Sequence, residues 1–128
     1  DVYYEIARDG RIIEISPSMT KVLGYRRLQM LGNPMADIFA DSKNFHKLVD
    51  RVVRKHRLTD YETLLKKANG DLLHCSVNAM LIDASRGKPS KIIGTIRNIT
   101  SRVKARRIKK KKRQKKAALA LSKGIFIT

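Results

Sequence analysis

Apolar positions along this chain change period several times, and each change marks an element. Val2 to Ala7 is rich in strand-forming residues and runs into Arg8-Asp9-Gly10, a turn signal. Arg11 to Ile15 is a second short β-rich run, so the two predict a hairpin. Ser16 and Pro17 read as the N-cap and first residue of a helix. Met19, Val22 and Leu23 share one face of it, and Gly24 supplies its stop. Arg26 to Phe39 reads as short helical turns broken by Gly32 and Pro34. Asp41 or Ser42 then caps the clearest amphipathic stretch: Phe45, Leu48, Val49, Val52, Val53 and His56 recur at helical spacing. The opposite face carries His46, Lys47, Asp50, Arg51, Arg54 and Lys55.

From Thr59 the period shortens to that of strands. Residues 60–68 and 71–83 flank Asn69-Gly70, the pair that a type I′ hairpin turn prefers. Leu73, Cys75, Val77 and Ala79 alternate toward one face. Arg86-Gly87-Lys88-Pro89 forms a loop, residues 91–99 a last strand. No Gly or Pro interrupts the good helix formers from Thr100 to about Leu121. The predicted order is two strands, helices, three strands and a long helix. It defines an α+β fold.

Charge divides the chain in two. It carries 29 Lys and Arg against 11 Asp and Glu, a net charge of +18. All the acids lie at or before Asp83, where 13 cations accompany them, a net of +2. Residues 84–128 hold the other 16 cations and no acid. Only this second part needs an electrostatic explanation. The lone cysteine, Cys75, excludes an intramolecular disulfide and fits a reducing, cytoplasmic location. No apolar run is long enough to cross a membrane.

Catalytic patterns are missing. His46 falls on the polar helix face, and His74 lies on the opposite strand face from Cys75, so no base stands by a nucleophile. Three scattered histidines and one cysteine do not make a zinc site. No phosphate-binding glycine loop is present, and Asp60 and Glu62 read as solvated charges. These absences argue for a non-catalytic domain.

A series of short motifs in fixed order points to a family. Asp9-Gly10-Arg11-Ile12-Ile13 is followed by Leu23-Gly24-Tyr25, Leu31-Gly32, Asp60-Tyr61-Glu62 and Asn69-Gly70-Asp71. Ile93-Gly94-Thr95-Ile96-Arg97-Asn98-Ile99-Thr100 closes it. Order and spacing together resemble a PAS domain, the sensor module of many signalling proteins. The resemblance covers about Val2 to Thr100. It implies a five-stranded antiparallel sheet with helices on one face and a pocket between them. It also implies a C-terminal signalling helix, here from Ser101 onward.

The resemblance sets the functional expectations. Residues 1–100 are the sensor domain, 101–123 a basic signalling or linker helix, and 124–128 the start of a following domain or a disordered end. The parent is a signalling protein such as a histidine kinase or cyclic-dinucleotide enzyme. Ligand occupancy or homodimer geometry shifts the sheet and moves the exit helix at Asn98, Ile99 and Thr100. Family members often carry Asp where Asn98 stands, which puts a charge-based coupling in doubt. Met35 holds the place where the flavin branch needs a cysteine, which argues against a flavin–cysteine adduct. The single cysteine rules out haem c. By family analogy, His56 is a ligand for haem b if haem is bound.

The inward residues are Leu23, Ile38, Phe45, Leu48, Val52, Leu65, Cys75, Val77, Gly94 and Ile96, and His56, on the apolar face of its helix, joins them as a pocket residue. They describe either a pocket for a small apolar ligand or a filled core in a pure dimerisation module. The best coiled-coil seam of the basic segment, Ile99, Val103, Arg106, Lys110, Arg113, Ala117 and Ala120, is cationic in its middle, so self-pairing is weak. Two uses of that segment remain. One is a linker whose charges are neutralised by solvent, partner or membrane. The other is a nucleic-acid contact.

Overall fold

Inward and outward residues alternate along five strands, and the alternation builds the sheet. The computed structural model describes residues 1–124. Strands β1 (Val2–Ala7), β2 (Ile12–Ile15), β3 (Arg57–Lys66), β4 (Leu72–Ile82) and β5 (Lys91–Asn98) form one antiparallel sheet in the order β2-β1-β5-β4-β3. Val2, Tyr4 and Ile6 from β1, Cys75, Val77 and Ala79 from β4, and Ile92 and Ile96 from β5 point to one face and are buried. Helices α1 (Ser18–Leu23), α2 (Arg27–Met30) and α3 (Ser42–Lys55) and a 3₁₀ turn at Met35–Ile38 join them in one hydrophobic core.

Local chemistry sets the boundaries. Asp41 caps α3, its carboxylate accepting the Lys43 N–H at 3.0 Å. The helix buries Phe45, Leu48 and Val52, each worth about 1.5–3 kcal/mol of transfer free energy. Gly24 ends α1 at φ 86°, where its N–H reaches the carbonyls of Met19 and Thr20.

Two sequence expectations are corrected. Ser16 does not cap α1, because its hydroxyl accepts the Tyr3 N–H at 2.9 Å and is spent on the sheet. The Asn69-Gly70 hairpin is not type I′. Only Gly70 has positive φ, and its N–H donates to the Lys67 carbonyl while the Lys67 N–H donates to Asp71. That is a type I turn closed by a left-handed glycine. The Asn69 side chain accepts the Asp71 N–H, which favours this wider turn.

The chain divides into two compact units, residues 1–98 and 99–128. The second is α4 (Thr100–Ser122), an uninterrupted helix without a single buried residue. The β-rich ending expected at 125–128 lies outside the described residues.

Candidate functional site

The centre of the sheet is organised by one rung that crosses all five strands. Ile15, Tyr4, Gly94, Ala79 and Leu58 are successive cross-strand partners. Tyr4 lies on β1, yet its hydroxyl donates to the backbone carbonyl of Asn78 on β4 at 2.7 Å. Its side chain must therefore cross β5, and Gly94 sits at the crossing. A Cβ on Gly94 would fall 1.9 Å from the Asn78 oxygen and 2.6 Å from the Tyr4 hydroxyl. Burial pushes the Tyr4 phenol far above its ordinary value. Gly94, expected as a pocket residue, seats the Tyr4 ring and also borders a surface cleft of about 370 Å³.

The remaining inward residues close on one another. Leu23, Leu48, Val52, Leu65, Cys75, Val77 and Ile96 are each at most 1% exposed and belong to one cluster. Clefts of about 370, 450, 310 and 240 Å³ open on the surface, and none is lined by these seven residues. Phe45 and Ile38 are also buried, but each also borders one of the surface clefts. Phe45 packs edge-on against Phe39, with centroids 5.3 Å apart.

His56 departs from expectation. Helix α3 stops at Lys55, and His56 is its left-handed C-cap at φ 66°, exposed, with Nε2 3.8 Å from Asp83. Its backbone N–H donates to Val52 and its carbonyl accepts from Leu81. A periodic pattern places it on the apolar face only if the helix continues, and here the backbone turns away. The residues around it do not fit a haem ligand directed into the core. Among the described residues no cluster of His, Cys, Asp or Glu has the makings of a metal site.

Sequence reasoning passed over Thr63 and, on the other face of the sheet, Tyr3. Thr63 is 9% exposed on the inward face of β3, and its hydroxyl has no hydrogen-bond partner. Its cross-strand neighbour is Cys75, whose own neighbour on β5 is Asn98. Thr63, Cys75 and Asn98 form a polar rung leading to the exit of the sheet. Spacing alone places Thr63 there, two residues before inward Leu65. Burial pushes the Cys75 thiol up to about 11, so it is a poor nucleophile. On the opposite face, Tyr3, Met80 and Ile93 line the 370 Å³ cleft, which Leu58 borders from its rung with Ala79. Beside it a bulge in β3 is fixed by polar contacts: the Asp60 N–H donates to Asn78 Oδ1 at 2.8 Å, and Asn78 Nδ2 donates to Thr95 at 3.0 Å.

At the exit, β5 ends at Asn98, Ile99 is buried, and α4 begins at Thr100. Arg97 is held by a bidentate pair to Asp1 at 3.0 and 3.1 Å.

This five-stranded sheet with its short helices is the architecture of a sensor module. The chain belongs to the PAS domain family, whose model matches residues 1–101. Similar solved structures include the PAS-B domain of Drosophila melanogaster Cycle with bound ethylene glycol, at 13% identity and TM-score 0.69, covering 77% of this chain and 99% of that one. A PAS domain of an HTR-like protein from Haloarcula marismortui is similar at 19% identity and TM-score 0.65, covering 77% and 81%. A domain of a sensory box sensor histidine kinase/response regulator from Geobacter sulfurreducens is similar at 21% identity and TM-score 0.64, covering 77% and 82%. No curated protein matches this chain.

Proposed function

We propose that residues 1–100 are a non-catalytic interaction and relay domain of a cytoplasmic signalling protein, working through homodimer geometry rather than a resident cofactor. The observation that carries this reading is the packing of the interior. Seven of the side chains expected to line a pocket are buried in one cluster and border none of the four clefts, and Tyr4 covers Gly94. The open apolar surface is instead the outer cleft around Tyr3, Met80 and Ile93, with Tyr3 40% exposed. Its partner is a second copy of this chain. Residues 1–100 carry 17 Lys and Arg against 11 Asp and Glu, a net of +6, so apolar contact at this cleft rather than charge holds the two copies together. A shift in dimer geometry bears on β5, which carries Ile93 on one face and runs through Asn98 into α4 toward an output domain of the same parent chain.

Sedimentation of the full chain tests this. A concentration-dependent dimer is expected, and Ile93→Lys should abolish it with little change in thermal melting. A wild type that stays monomeric, or an Ile93→Lys variant that still dimerises, overturns the reading.

One observation favours a second reading, a small-ligand sensor. The unpartnered Thr63 hydroxyl beside Cys75 is a polar handle inside an apolar core. Native mass spectrometry of unrefolded protein separates the two. A stoichiometric bound mass lost on Thr63→Val supports the sensor, and a clean apo mass supports the dimer module.

A further inference from the structure

Helix α4 has a charge pattern that the relay function does not use. Between Thr100 and Ser122 there are 11 Lys and Arg and no acid. The cations have no acidic neighbour at i±3 or i±4, so the helix does not neutralise itself. Ten of them lie exposed from Lys104 to Lys116. The five consecutive cations from Lys109 to Arg113 exceed one helical turn, about 3.6 residues, and so surround the axis. The chain holds too few acids to match the 11 cations of this helix as well as its other cations. Residues 1–83 are themselves net positive, and Glu5, Glu14, Asp1 and Asp50 already pair with Lys91, Arg27, Arg97 and Arg54.

We propose that α4 is a binding surface for duplex nucleic acid, held through phosphate contacts without base readout. Charge density carries the assignment. Lys104 to Lys116 spans about 20 Å at 1.5 Å per residue. Over that length a duplex presents about 12 phosphates, one per ~1.7 Å, against ten exposed cations. The helix, about 10–12 Å across, matches a major groove about 12 Å wide. Cations on every side suit a groove, which presents phosphates on both flanks.

Other polyanions fit less well. A membrane-surface helix needs one apolar face. Here Val103 and Ile108 lie about 140° apart around the axis, and Ile108 is 54% exposed. A single strand is held by stacking on aromatic side chains, and Thr100–Ser122 contains none. Self-pairing would oppose Arg106, Lys110 and Arg113 to their copies.

The test titrates the full chain against a labelled duplex of about two helical turns, from about 50 to 200 mM salt. A slope of log affinity against log salt of about −5 or steeper is expected, as six or more phosphate contacts require. Replacing Lys109, Lys110, Lys111 and Lys112 together with Gln keeps good helix formers. It should flatten the slope by about 3 to 4 and weaken binding about 10-fold or more at physiological salt. Circular dichroism of the variant should keep the wild-type helix content. No duplex binding at low salt overturns the proposal, as does a variant that binds like the wild type. Equal affinity for a single strand or polyglutamate of the same charge, or binding to phosphatidylserine vesicles in place of the duplex, also overturns it.

Discussion

The Tyr4 hydroxyl donates to the Asn78 carbonyl at 2.7 Å across a strand that separates the two residues, and Gly94 is what permits it. The contact ties β1 to β4 over β5 and occupies the middle of the inward face. Gly94→Ala places a methyl group against backbone as well as the phenol, so relief requires the strands to part. We expect a loss of about 3 kcal/mol or more, read as a lowered denaturant midpoint or failure to fold. Tyr4→Phe keeps the ring and removes one hydrogen bond, for a loss of about 1 kcal/mol. A Gly94→Ala protein as stable as the wild type would refute the crossing.

Thr63 gives the opposite sign. A buried hydroxyl without a partner costs about 1–3 kcal/mol in proteins, and valine has nearly the same shape. Thr63→Val should therefore raise the melting temperature, with a gain of about 1 kcal/mol. A loss instead would mean that the hydroxyl is satisfied in solution by water or a ligand, returning weight to the sensor reading.

The fold was legible where neighbours in sequence decide it. The two-residue alternation of Leu73, Cys75, Val77 and Ala79 gave β4 its face, and the Asp41 cap with Phe45, Leu48 and Val52 gave α3. The long breaker-free run gave α4 nearly to the residue. What failed depends on partners far along the chain. Gly94 fits its motif, yet the reason for it lies at Tyr4, 90 positions earlier. Ser16 suits an N-cap, but its hydroxyl is claimed by Tyr3 across the hairpin. His56 continues an apolar period, but the helix ends in a left-handed turn without the usual glycine. Whether inward residues line a pocket or fill a core is a question of volume, and periodicity carries no volume.

Cys75 should be slow to react. With its thiol pushed up to about 11 and its side chain fully buried, little thiolate exists at pH 8. Alkylation of the native protein should run about 100-fold or more slower than in denaturant, at a rate set by opening of the core. Labelling as fast as in the unfolded chain would show that β4 is open to solvent.

The outer face carries the pH dependence. Glu5 is held below its ordinary value of 4.5, first by the hydrogen bond from Lys91 at 2.5 Å, with burial opposing and the Tyr3 hydroxyl assisting. A carboxylate with a depressed folded-state pKa binds its proton more readily in the unfolded chain. Its contribution is complete above the unfolded value and drains away as pH falls through the folded one. Glu14 behaves likewise through Arg27, whose Nη2 lies 2.6 Å from its carboxylate. Glu5→Gln should therefore be less stable than wild type at pH 7. The difference should close as pH falls below about 4.5, because the wild type loses by protonation what the variant lacks throughout. Thermal melts of both proteins from neutral pH into this acidic range read the effect. Two curves that remain parallel would show that the Glu5–Lys91 pair contributes nothing specific to the folded state.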